Sequence, residues 1–241
     1  MGVQTGNVCG SIEVERGVME EERTECIKCG ECCRKASPTL HLSDVRMIES
    51  GLMPLKDLYT IRIGEPVYDN LNGRIGPSPT EMIKIRERPG DEGCVFLHFD
   101  DKVATCLIYE ERPCQCRAMK CWDDSEFKEI YAQPRASRWD MVRDEKTLLL
   151  MDEHESRCGY EMVKELLRAI GEKGESAVQN LLELIRFDYH IRPFTNQRLG
   201  VPFAEMEFYF GRPLSDTIEA FGLQLTRRMD GSFFLTTLKQ G

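Results

Sequence analysis

Four cysteines fall within eight residues, Cys26-Ile27-Lys28-Cys29-Gly30-Glu31-Cys32-Cys33. Packing alone gives no reason to concentrate thiols so densely. A C-x-x-C loop, by contrast, curls so that both sulfurs face one ion and its peptide N–H groups point at the thiolates. Gly30 permits the positive φ that such a curl requires and removes the side chain that would block close approach. Cys26, Cys29, Gly30 and Cys32 match the opening of a bacterial ferredoxin motif. The match then stops: Cys33 follows at once, and Arg34 stands where a proline is expected. Adjacent cysteines do not comfortably chelate one ion, so Cys32 and Cys33 are expected to serve different centres, or one of them to be a spare. A second group comprises Cys94, Cys106, Cys114, Cys116 and Cys121. Arg112, Arg117 and Lys120 lie among them, and their charge would offset that of several thiolates.

The chain carries eleven cysteines in 241 residues. Its first 25 residues are polar and acidic, with neither the cationic start nor the apolar stretch of an export signal. The odd number of cysteines and their short spacings then favour metal ligation in a reducing cytoplasm over a disulfide framework. The longest purely apolar run, Leu148 to Met151, is far too short to cross a bilayer. A net charge of −9 repels phosphate, so neither nucleic acid nor an anionic membrane is an expected partner. With 41% hydrophobic and 30% charged residues the chain is expected to be globular.

Three stretches are expected: a flexible tail over 1–22 with Cys9 as an uninvolved thiol, a cysteine-cluster metal-binding domain over 23–125, and a mainly helical region over 126–241. The middle stretch holds nine of the eleven cysteines and reads as organised around something other than a large apolar core. Within it, Ser43 is the expected N-cap of a short helix ending at Gly51, and Pro54 opens a turn through Tyr59. Met82 to Arg86 alternates as a half-buried strand. Cys94–Phe99 and Val103–Tyr109 flank the turn Asp100-Asp101-Lys102 as a hairpin, which would place Cys94 and Cys106 on neighbouring strands. Further on, Tyr160, Val163, Leu166, Leu167 and Ile170 follow helical spacing, with Gly171 as the stop. Ser176 with Gln179 reads as a capping box for a helix whose Val178, Leu181, Leu182, Ile185 and Tyr189 share one face. A short helix from Ser215 to Phe221 and a hairpin around Asp230-Gly231 close the chain. The fold class expected is α+β: a small irregular cysteine-rich domain with a β-hairpin, then a mainly helical part.

The ordered set Cys26-x-x-Cys29-Gly30-x-Cys32-Cys33-Arg34, Gly93-Cys94-Val95-Phe96-Leu97, Cys106-Leu107-Ile108-Tyr109-Glu110, Arg112-Pro113 and Cys116-Arg117 resembles the YkgJ-type cysteine-cluster family. The resemblance spans roughly Thr24 to Trp122 and implies a domain that chelates zinc or iron. It places the family's cysteine positions on Cys26, Cys29, Cys32, Cys33, Cys94, Cys106 and Cys116. Cys114 falls in a variable gap and inherits no ligand role. Cys121 is a metal-ligand candidate on spacing alone. The family implies no settled reaction.

His154 and Cys158, four residues apart, would share one face of a helix, so ligation by either stays open beside solvated or buried alternatives. His41, His98 and His190 read as structural, and Trp122 and Trp139 as core or packing residues. Cys26 and Cys29 as a redox pair, with Arg112 and Arg117 activating Cys114 or Cys116, is the competing chemistry. No strand precedes Cys26 to give the βαβ setting such an enzyme needs. P-loop, dinucleotide and zinc-protease motifs are absent. The function expected is metal binding, as an iron–sulfur cluster in preference to zinc, in a redox, carrier or assembly component with a protein partner. The alternatives are a zinc-stabilised interaction module and, further off, an iron–sulfur or thiol oxidoreductase.

Overall fold

The computed structural model describes residues 26–35, 37–69, 73–90, 93–100, 103–228, 231 and 233–238. The tail, Cys9, and the turn residues Asp101, Lys102 and Asp230 lie outside them. The architecture is α+β, as the sequence implies. The first part comprises α1 (Glu31–Lys35), α2 (Val45–Glu49), β1 (Leu58–Ile61), β2 (Pro66–Asp69), β3 (Arg74–Pro77), β4 (Met82–Ile85), β5 (Leu97–Asp100), β6 (Val103–Cys106) and α3 (Cys114–Ala118). Then come α4 (Ser125–Tyr131), α5 (Arg138–Met141), α6 (Glu145–Cys158), α7 (Tyr160–Lys173), α8 (Glu175–Leu199), α9 (Met206–Phe210), α10 (Leu214–Thr217) and the closing strands β7 (Leu223–Arg227) and β8 (Phe233–Thr237). The described strands pair antiparallel in four two-stranded units, β1–β4, β2–β3, β5–β6 and β7–β8.

The short strands do not stand alone. In β1, Leu58, Thr60 and Ile61 are buried, and the Thr60 hydroxyl donates to the Phe208 carbonyl of α9 at 2.6 Å. Ile83 and Ile85 of β4 face the same interior. One apolar cluster therefore joins Leu40, Met47, Met53, Leu58, Ile83, Ile85, Phe96 and Ile108 to Met151, Ile191, Met206, Phe208 and Phe210. This corrects the expectation of a cysteine-rich stretch without a large core: that stretch supplies about half of a core it shares with the helices. Its core residues sit in elements of four or five residues or, like Leu40, Met53, Phe96 and Ile108, in the connections between them. A second cluster, built on Tyr160, Val163, Leu181, Leu184, Ile185, Leu214 and Ile218, belongs to the helical part.

Several boundaries move for identifiable reasons. A 3₁₀ turn at Leu42–Asp44 precedes α2, and the cap is made at His41, whose N–H donates to Asp44 Oδ2 at 3.0 Å, not at Ser43. Helix α7 passes through Gly171 and ends at Gly174, whose φ of 55° makes the break. Helix α8 then starts at once, so Ser176 lies inside it and is not its cap. The buried stripe of α8 runs Ala177, Leu181, Leu184, Ile185, Asp188, Ile191, Arg192 and Thr195, leaving Tyr189 exposed. Asp188 and Arg192 hide this stripe from an apolar reading. Trp122 and Trp139 are 38% and 37% exposed, so neither is a core residue. His98 and His190 are exposed, whereas His41 is buried. No helix among the described residues is long and apolar enough to cross a membrane.

Candidate metal centre

The C-x-x-C loop is fastened to two other segments by main-chain bonds. Lys28 O accepts from Ala104 N–H of β6 at 3.2 Å, and Cys33 O accepts from Cys94 N–H at 2.9 Å. Both fastenings depend on glycine. Gly30 has φ 76°, and a Cβ there would lie 2.7 Å from Ala104 Cβ. Gly93 has φ 79°, and a Cβ there would lie 2.6 Å from Cys33 O and 2.7 Å from Arg34 Cα. Any side chain at these positions would hold the cysteine segments apart.

Cys94 is not on the hairpin strand as expected. The hairpin starts at Leu97, which pairs with Cys106, while Cys94 bridges to Glu87 beyond the end of β4. The Leu97 N–H donates to Cys94 O at 2.9 Å, and this turn still leaves Cys94 close enough to interact with Cys106. Cys116 is placed by α3, whose neighbouring residues are pinned to the 39–44 segment. The Cys114 thiol donates to Asp44 Oδ2 at 3.2 Å, its N–H donates to Asp44 Oδ1 at 2.9 Å, and Gln115 Oε1 accepts from Thr39 N–H at 2.8 Å. Burial, reinforced by the Asp44 carboxylate, pushes the Cys114 thiol up to about 11. Asp44 carried no signal in the sequence.

Five thiols on four segments thus share one electrostatic neighbourhood: Cys32 and Cys33 of α1, Cys94, Cys106 and Cys116. The Cys32 and Cys33 sulfurs lie 3.9 Å apart. A hydrogen bond from Cys33 draws the Cys32 thiol down to about 6, and the same contact raises Cys33, with burial and the charges of Cys32, Cys116 and Cys106 adding to the rise. Burial raises Cys116 most, then the charges of Cys94, Cys106 and Cys32. Cys94 and Cys106 are raised chiefly by burial as well. Thiols that oppose each other's ionisation in this way are relieved when a cation binds among them. The donor set is soft and wholly sulfur, suited to zinc or iron and not to calcium or magnesium. The sulfurs are gathered but not closed: no three His, Cys, Asp or Glu side chains among the described residues are arranged to hold an ion.

The remaining candidates stand apart in kind. Cys26 and Cys29 lie in the loop before α1, where the Lys28 N–H donates to Cys26 Sγ at 3.4 Å. Cys121 is exposed in the turn closed by the Lys120–Asp123 bridge. His154 and Cys158 are both buried in the helical part. His154 Nε2 bonds Asp188 Oδ1 at 2.7 Å, and the Cys158 thiol donates to Leu184 O at 3.7 Å. No cysteine of the gathered set is among those partners.

The cysteine loops, fixed by glycines, form a wall backed by the shared core. Residues 25–135 match the family CxxCxxCC, described as "Putative zinc- or iron-chelating domain". The match runs past Trp122 through α4 to Arg135, whose backbone bridges to His41. No curated protein and no solved structure shows significant similarity to the chain.

Proposed function

We propose that the domain holds a thiolate-ligated iron–sulfur centre with four ligands drawn from Cys32, Cys33, Cys94, Cys106 and Cys116, one of the adjacent Cys32 and Cys33 being spare, and with Cys26, Cys29 and Cys121 as ligands of a second. The observation that carries the reading is the main-chain fastening of the first cysteine loop to two others: Cys33 O accepts from Cys94 N–H at 2.9 Å, and Lys28 O accepts from Ala104 N–H of β6, the strand that carries Cys106, at 3.2 Å. Iron–sulfur is favoured over zinc because the gathered donors include no histidine and Cys26, Cys29, Gly30 and Cys32 match the opening of a ferredoxin motif. When bound, such a cluster supplies one-electron redox chemistry, which suits a redox, carrier or assembly component working with a protein partner. The chain's own contribution is to hold the sulfurs on a glycine-packed backbone and to keep part of the set open to solvent, Cys32 being exposed. Protein expressed and purified without oxygen is expected to be brown, to contain iron and acid-labile sulfide, and to lose its visible absorbance with dithionite. Cys116→Ser should lower the iron content. Colourless anaerobic protein with stoichiometric zinc and no sulfide after attempted reconstitution would replace this reading by that of a zinc-folded module.

A further inference from the structure

Three cations lie in sequence among the second cysteine group, and the structure separates them. Lys120 is paired with Glu126. Arg117 turns back to donate from Nη1 to the Arg112 carbonyl. Arg112 itself forms no ion pair among the described residues, and its guanidinium carbon lies over the Tyr109 ring, 3.8 Å from the centroid. Its Nε is buried without a hydrogen-bond partner. A buried cationic donor left in that state is costly unless an acceptor faces it. The Tyr109 N–H donates to Cys106 O at 3.2 Å, and the same ring takes Lys28 Nζ of the C-x-x-C loop at 5.2 Å from its centroid, so the guanidinium sits at the junction of the Cys106 segment, the first cysteine loop and the start of α3, which carries Cys116.

From this geometry we infer that Arg112 is the outer partner of the metal centre, donating from its guanidinium to the ligand sulfurs and compensating their charge. The inference rests on the proposed thiolate centre. Tyr109 positions the guanidinium through its ring face, and the Arg117 side chain holds the Arg112 main chain by its carbonyl. Outer partners of this type keep ligands ionised and oriented, and removing one lowers metal affinity by about 10–100-fold.

The test uses the full chain, stripped of metal under reducing conditions, with zinc as the probe and a competing chelator to read affinity. Arg112→Gln should bind zinc at least about tenfold more weakly than wild type. Arg112→Lys, which keeps the charge and loses the planar fork, should lose less. Lys128→Gln, the same change in net charge on the exposed face of α4, should match wild type. Should Arg112→Gln fail to fold, the wild-type chain still decides: the Arg112 Nε–H should exchange with solvent at least about tenfold more slowly once zinc is bound. Arg112→Gln binding as tightly as wild type, Arg112→Lys as weakly as Arg112→Gln, or an Nε–H indifferent to zinc would each overturn the assignment of Arg112. A wild-type chain that binds neither zinc nor iron would instead sink the proposed function itself.

Discussion

Between Cys26 and Ala118 the cysteine segments are joined by main-chain hydrogen bonds and by glycines that let backbones touch, whereas between Arg138 and Thr217 the chain is held by apolar helix faces and a buried ionic network. In the first region the close approaches are Gly30 on Ala104 and Gly93 on Cys33 and Arg34. In the second, Asp188 bonds both His154 and Arg192 inside the α6–α8 packing. The two constructions meet along a charged seam. Arg62 donates to Cys158 O, and Arg138 binds Glu81, Glu155 and the Tyr209 carbonyl. The difference teaches that this domain places its thiols by backbone contact and borrows its rigidity from the helices behind it.

The seam should be the most sensitive place. The side chain of Arg138 is fully buried and that of Glu81 nearly so, with Nη2 to Oε2 at 2.6 Å. Arg138→Met removes the cation and strands the Glu81 carboxylate, a loss of about 3–5 kcal/mol. Denaturant unfolding should show one weakened transition that takes both halves together. A transition split in two, with only the helical part destabilised, would mean that the shared core does not couple the halves.

Gly93→Ala should strike the cysteine wall alone. The new Cβ meets main-chain atoms that cannot swing aside, at a φ that disfavours any L side chain. A destabilisation of about 2 kcal/mol or more is expected, with metal content falling because Cys33 and Cys94 are pushed apart. Helical circular dichroism should survive. Retained metal content in this variant would show that the Cys33–Cys94 fastening does not set the sulfur positions.

How much of this was legible follows the range of the forces involved. The cysteine run, Gly30, the β5–β6 hairpin, α7 and the closing hairpin carry local signals: motif spacing, alternation, helical period. The same locality explains why Gly171 and Ser176 misled, since either suits a helix end until Gly174 is known to supply the break. The shared core was hidden because Leu40, Met53 and Ile83 lie in separate short stretches that meet only through tertiary packing. The burial of Arg62, Glu81, Arg138 and Asp188 depends on partners far along the chain. At the candidate centre, cysteine identity was in the sequence, but Tyr109 under Arg112 and Asp44 on Cys114 needed coordinates.

The smallest effect expected is a pH dependence confined to the helical side. His154 is 0% exposed, and burial, its largest influence, depresses its pKa from 6.5 to about 4 even though Asp188 hydrogen-bonds to it. The groups that face it are Asp188 and Arg192 from α8, Arg62 from the end of β1 and the Phe210 ring of α9. Because the folded value lies below the unfolded one, the unfolded chain takes up a proton first as pH falls. Stability is therefore unaffected by His154 above about pH 6.5 and declines between 6.5 and 4. From pH 7 to pH 5 the loss attributable to this histidine is about 2 kcal/mol. His154→Gln can still bond Asp188 and does not titrate, so its unfolding free energy should fall less over that interval by about that amount. Metal content at pH 7 should equal wild type, because the partners of His154 belong to the helical part. Equal pH slopes in the two proteins would remove His154 as the buried titrating group, and a fall in metal content would tie the helical network to the cysteine wall after all.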